Sequence, residues 1–168
     1  MSATEPNAFF KISRSFSEIK RELFGAYFEN WCDIKYSALK AAADKTVCLV
    51  DMQAGQEQSI EERPGNEVYS YSYLCKTIAK KPAPVQSYIY DKDKVRLEQA
   101  SELLLELAQE QELTHQPVAL QNTENKAQLA EELSTGKPAM VFMDPLQNAY
   151  AQQVLWQSVM EWRSDLFM

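Results

Sequence analysis

With 168 residues, 45% of them hydrophobic and 11% aromatic, the chain has the size and composition of one globular domain with a sizeable core. Its net charge of −7, from 24 acidic against 17 basic residues, argues against tight, unaided binding of nucleic acid, because phosphate contacts need clustered cations. No apolar run approaches the roughly 20 residues of a membrane span. The opening MSATEPNAFFKISRS lacks the basic-then-apolar order of a signal peptide, so a cytoplasmic location is expected.

Residues 1–14 are expected to be a flexible N-terminal segment, and 15–168 a single domain. Ser15 and Glu18 have capping-box spacing, and Ile19, Leu23, Tyr27, Trp31, Ile34 and Ala38 recur at helical intervals. They predict a first helix that buries this stripe and ends by Asp44-Lys45. The β-branched run TVCLVDM predicts a strand buried on both faces over 46–50. A polar loop over 53–66 follows, then a helix marked by Val68, Tyr71, Cys75 and Ile78.

Beyond Pro82 and Pro84 the run VQSYIY predicts a second strand, 85–90. Asp91 and Asp93 open a helix whose inward stripe is Leu97, Ala100, Leu104 and Leu107. A weaker strand over 118–121 precedes a short helix capped by Asn122 or Thr123 and closed by Gly136. AMVFM predicts a strand over 139–143. A last helix carries Ala151, Val154, Leu155, Val159 and Trp162, and a fifth strand starts at Asp165. Strands alternating with helices imply an α/β fold with a mostly parallel sheet, the 46–50 strand central between the 85–90 and 139–143 strands.

In such a sheet ligands bind beyond the carboxyl ends of the strands. Three of those ends carry polar residues. After the first strand come Asp51, Ala54 and Gly55, where an acid can accept a cofactor N–H and a glycine lets backbone approach a ligand; an ordinary loop is the alternative. After the second comes Asp91, in the position of a ribose-binding acid, though Asp91 or Asp93 could equally cap the next helix. Asp91-Lys92-Asp93 also has the form of a metal-binding DxD, a pattern common by chance. After the fourth come Asp144 and Pro145: an acceptor for an amino group, or a strand-to-helix turn.

Cys32, Cys48 and Cys75 fit neither a disulfide framework nor a zinc motif and are expected to be small buried apolar groups. His115, the one histidine, lies in a polar stretch and is expected in a loop or at the surface.

Five segments together resemble the three-Cys-motif partner proteins (TcmP), class I methyltransferase-like proteins of bacteria and archaea. They are Tyr27-Phe28-Glu29-Asn30-Trp31, the stretch Asp51 to Glu57, Glu62-Arg63-Pro64-Gly65-Asn66, Tyr90-Asp91-Lys92-Asp93, and the stretch Phe142 to Gln147. The resemblance runs from about residue 11 to 168. It implies a Rossmann-like class I methyltransferase fold, a three-layer sandwich, with the C-terminal strands missing. On this basis 15–168 is a partial methyltransferase domain, truncated before the sheet is complete.

The resemblance also implies S-adenosylmethionine as cofactor, held at Asp51, Ala54, Gly55 and Asp91. Asp144 and Pro145 would be the catalytic pair, orienting an amino group, for example of a nucleic-acid base presented by a partner. Glu57 replaces the second loop glycine, Gln53 a phenylalanine, and Leu146-Gln147 a Phe-Gly pair. The charged Glu57 side chain predicts weak cofactor binding, recovered in part by Glu57→Gly. The alternative is an inactive relative or fragment that serves as a partner-binding module or self-associates through an incomplete sheet edge. No membrane association is expected.

Overall fold

The structure, a computed structural model, describes residues 16–39, 44–52, 78, 84–143, 149–162 and 164–167. In chain order these form α1 (Phe16–Ala38), β1 (Val47–Asp51), β2 (Val85–Ile89), α2 (Lys94–Glu110), β3 (Val118–Ala119), α3 (Thr123–Ser134), β4 (Ala139–Phe142), α4 (Ala149–Gln157) and β5 (Asp165–Phe167). A π-helical turn, Ser158–Trp162, continues α4. The capping box at Ser15 and most of the helix expected over 68–78 lie outside the described residues; Ile78 is helical and buried.

Among the described residues all four strand pairings are parallel, and the order across the sheet is β3-β2-β1-β4-β5. The expected centre is borne out: β1 pairs with β2 on one side and β4 on the other, and β3 lies at the edge. Every β1 residue is buried, as the unbroken apolar run requires of a strand covered on both faces.

Alternation along the strands sorts the core into two layers. Cys48 and Val50 of β1, Tyr88 of β2, and Ala139 and Val141 of β4 meet Leu129 and Leu133 of α3 together with Val154 and Trp162. The intervening Val47, Leu49, Val85, Met140 and Phe142 meet Phe24, Phe28, Trp31 and Cys32 of α1. Ile89 packs on Leu97, Ala100 and Leu104 of α2. The sheet thus lies between α1 and α2 on one face and α3 and α4 on the other. This is a Rossmann-like layering.

The α1 stripe corrects the expectation. Phe24, Phe28, Trp31 and Cys32 are buried, whereas Leu23, Tyr27 and Ile34 are 59%, 48% and 68% exposed. The helix is rotated by about a quarter turn from the stripe at 23, 27, 31 and 34, and only Trp31 is shared. It also ends at Ala38, short of Asp44, where the Leu39 N–H donates to both Lys35 and Tyr36 carbonyls. In α2 the stripe holds for Leu97, Ala100 and Leu104, with Ala108 rather than Leu107 as its last buried member.

Gly136 does close α3: its φ of +79° is the left-handed value that a glycine adopts without a Cβ penalty. Asn122 is the cap of that helix, its side chain accepting from the Asn125 N–H. Cys32 and Cys48 are buried, as expected of small apolar groups, and burial pushes the Cys48 thiol up to about 12; Cys75 lies outside the described residues. No described helix is long and apolar enough to cross a membrane.

Candidate functional site

Strand order reverses between β1 and β4, so the crevice where a parallel sheet takes ligands opens at their carboxyl ends. The main chain is tightly tied there. The Met52 N–H donates to the Phe142 carbonyl at 2.9 Å, and the Tyr90 N–H to the Asp51 carbonyl at 2.8 Å. Asp51, the last residue of β1, and Asp91, two residues beyond β2, therefore stand at neighbouring strand ends. Both are buried, at 3% and 5% exposure. A carboxylate is rarely buried to this degree unless it is hydrogen-bonded.

The two roles held open for Asp91 and Asp93 separate. Asp93 is the N-cap of α2: its Oδ1 accepts from the Val95 N–H at 2.9 Å and the Arg96 N–H at 3.3 Å. Asp91 caps nothing. Its Oδ1 accepts from the Asp93 N–H at 2.8 Å, which closes a local Asx turn and fixes the carboxylate at the strand end. Among the described residues no cluster of His, Cys, Asp and Glu could hold a metal, so the DxD spacing gains no support from further ligands.

Ala54, Gly55, Glu57, Asp144 and Pro145 lie outside the described residues. Met143, directly before Asp144, is buried at the end of β4, its N–H donating to the Phe167 carbonyl at 3.0 Å.

Sequence reasoning missed a second group at the same edge. Tyr90, between β2 and Asp91, meets Tyr150 of α4 edge-on with ring centroids 4.9 Å apart. The Lys126 ammonium, in the first turn of α3, lies 4.1 Å from the Tyr150 centroid and 5.5 Å from that of Tyr90. Burial pushes the Tyr150 phenol up to about 12, and burial followed by the Asp91 charge raises that of Tyr90. Both hydroxyls are thus neutral donors at physiological pH. The readable signal was a tyrosine directly after a strand; nothing in the spacing of 90, 126 and 150 announced their meeting.

A third polar group lies at the opposite, amino-terminal end of the strands. Lys137, just before β4, sits 2.7 Å from Glu132 Oε1 and 3.0 Å from Asp44 Oδ2, and Asp44 Oδ1 accepts from the Thr46 N–H. The Tyr88 hydroxyl donates to the other Glu132 oxygen. This network joins the starts of β1 and β4 to α3, away from the crevice, and serves the fold.

No protein-family model and no curated protein matches the chain.

Proposed function

We propose that the chain is a methyltransferase-like protein that binds the adenosyl part of S-adenosylmethionine across the carboxyl ends of β1, β2 and β4. The observation that supports this reading is the pairing of two buried carboxylates, Asp51 and Asp91, at adjacent strand ends beside the reversal of strand order. A fixed carboxylate beyond β2 suits the two hydroxyls of a ribose, and one at the end of β1 suits an ammonium or amino group. Both carboxylates are acceptors, which suits the hydroxyl and amino donors of the cofactor. When bound, S-adenosylmethionine supplies an electrophilic methyl group on sulfur.

Asp144, one residue beyond buried Met143, would accept hydrogen bonds from the amino group to be methylated and hold its lone pair toward that methyl. Pro145 would fix the chain that carries it. A nucleic-acid base is one such acceptor, and the net charge of −7 requires that a partner deliver it. Titration calorimetry with S-adenosylmethionine tests the reading. Binding is expected to be weak, to strengthen in Glu57→Gly and to fall about tenfold or more in Asp91→Asn, a change of about 1.4 kcal/mol. No binding by either the unmodified chain or Glu57→Gly at millimolar cofactor would sink it.

A second reading, a module that associates with a further copy of itself, is favoured by a separate observation. Leu23, Tyr27 and Ile34 are exposed on α1 beside β5, which among the described residues pairs with β4 alone.

A further inference from the structure

We propose that Lys126, held against Tyr150 and Tyr90, is a binding group for the phosphate of a ligand in the strand-end crevice. The assignment does not depend on a methyl donor being the ligand. Three features carry it.

The first is how the ammonium is satisfied. Lys35, Arg96 and Lys137 each sit within 4.0 Å of a carboxylate oxygen. Lys126 has no carboxylate at ion-pair distance among the described residues and is bordered instead by two aromatic faces. Ring faces attract a cation but accept no full hydrogen bond, so the ammonium keeps N–H donors for an incoming anion. Glu124, in the same turn, is two residues away and so points off another side of the helix.

The second is the surroundings. Lys126 lies in the first turn of a 12-residue helix, whose positive end adds to the attraction for an anion. The two phenols stay protonated and have no hydrogen-bond acceptor among the described residues, so they can donate to the same oxyanion. The third is shape. With centroids 4.9 Å apart and an interplanar angle of 61°, the tyrosines already pack on one another, leaving no slot for a base between them. The cluster offers a charge and donors rather than a stacking platform.

Asp51 and Asp91 set the polarity of the ligand. Their carboxylates repel a phosphate and attract hydroxyls, so hydroxyls face β1 and β2 while the phosphate faces α3. A nucleoside monophosphate with a free ribose diol has that polarity; a free phosphate would use Lys126 and the two phenols without the carboxylates.

Calorimetric titrations with adenosine 5′-monophosphate, adenosine and inorganic phosphate test this on the intact chain. The monophosphate is expected to bind at least tenfold tighter than adenosine, and Lys126→Gln to abolish that preference. Lys126→Arg should keep most of it, and Tyr150→Phe should reduce it. Asp91→Asn should weaken adenosine and the monophosphate together while leaving their ratio intact, which separates failure here from failure of the adenosyl site. Equal affinity for the monophosphate and inorganic phosphate, both lost in Lys126→Gln, would support the phosphate site and identify free phosphate as its ligand. Equal affinity for adenosine and the monophosphate, a preference that survives Lys126→Gln in a variant with unchanged circular dichroism, or no binding of either phosphate probe at millimolar concentration overturns the proposal.

Discussion

Asp91 and Asp93 stand two residues apart and serve different ends. The Asp93 carboxylate takes two of the orphan N–H groups that open α2, so Asp93→Ala should cost about 1 kcal/mol of stability, readable as a lower urea midpoint with an unchanged slope. Asp91 holds its acid at the strand end, and Asp91→Asn, which keeps shape and an acceptor oxygen, should cost less stability than Asp93→Ala while altering binding. A larger stability loss in Asp91→Asn than in Asp93→Ala would show that the roles are reversed. Sequence alone could not divide them, because an acid after a strand and an acid before a helix are the same residue type at adjoining positions. The place of Asp51 was legible for a simpler reason: it directly follows the four-residue apolar run Val47–Val50.

Among the elements, α1 shows why phase is harder to read than presence. Leu23, Phe24, Tyr27, Phe28, Trp31, Cys32 and Ile34 place apolar groups around about half of the helix, so two stripes compete. Aromatic packing decides between them: Phe24 lies 4.5 Å from Phe142 and 5.3 Å from Phe167, and Phe28 lies 5.8 Å from Trp31. The Trp31 indole N–H and the Lys35 ammonium also meet Asp165 of β5, at 2.8 and 2.7 Å. Phe28→Ala should therefore cost about 3–5 kcal/mol, and Leu23→Ala under about 1 kcal/mol, by chemical denaturation. The reverse ranking would restore the stripe that the spacing predicted.

The network around Lys137 gives the elements a pH dependence. The Thr46 N–H, then Lys137, hold the Asp44 carboxyl at about 2 against an ordinary 3.8. Burial raises that of Glu132, but the hydrogen bonds from Lys137 and Tyr88 outweigh it and leave it lowered. Asp165 is lowered in the same manner, against its burial, by Lys35 and Trp31. A carboxyl depressed in the folded state binds fewer protons than in the unfolded chain, so its contribution is present above the unfolded value and lost as pH falls through the folded one. Stability should fall between about pH 4 and pH 2. Lys137→Met should cost about 1–3 kcal/mol at neutral pH and flatten the acid limb, while Lys126→Met leaves that limb unchanged. An acid limb as steep in Lys137→Met as in the unmodified chain would place the linkage elsewhere.

At the scale of the whole molecule the sheet order was legible, because β1, β2 and β4 are the most apolar runs and parallel strands joined by helices leave few orders open. The cluster of Tyr90, Lys126 and Tyr150 was not, since it depends on how α3 and α4 lie over the sheet, which no local pattern encodes. The same holds for the α1 face with exposed Leu23, Tyr27 and Ile34. That face adjoins β5, where the Tyr27 and Phe167 rings lie 5.7 Å apart. One symmetric contact would cover both features. A two-fold axis normal to the sheet would set β5 antiparallel to β5 of a second copy and bring the two α1 helices together on one face. A three-residue strand at the edge of the described sheet offers few ladder hydrogen bonds, so most of the attraction must come from the apolar stripe, and the dimer should be weak. Sedimentation velocity should show a concentration-dependent shift toward dimer that Ile34→Glu or Leu23→Glu abolishes, while Val95→Glu, equally exposed but on α2, leaves it intact. A single monomer at every concentration, or a dimer that survives both α1 substitutions, would remove the reading and leave the ligand crevice as the functional feature of the fold.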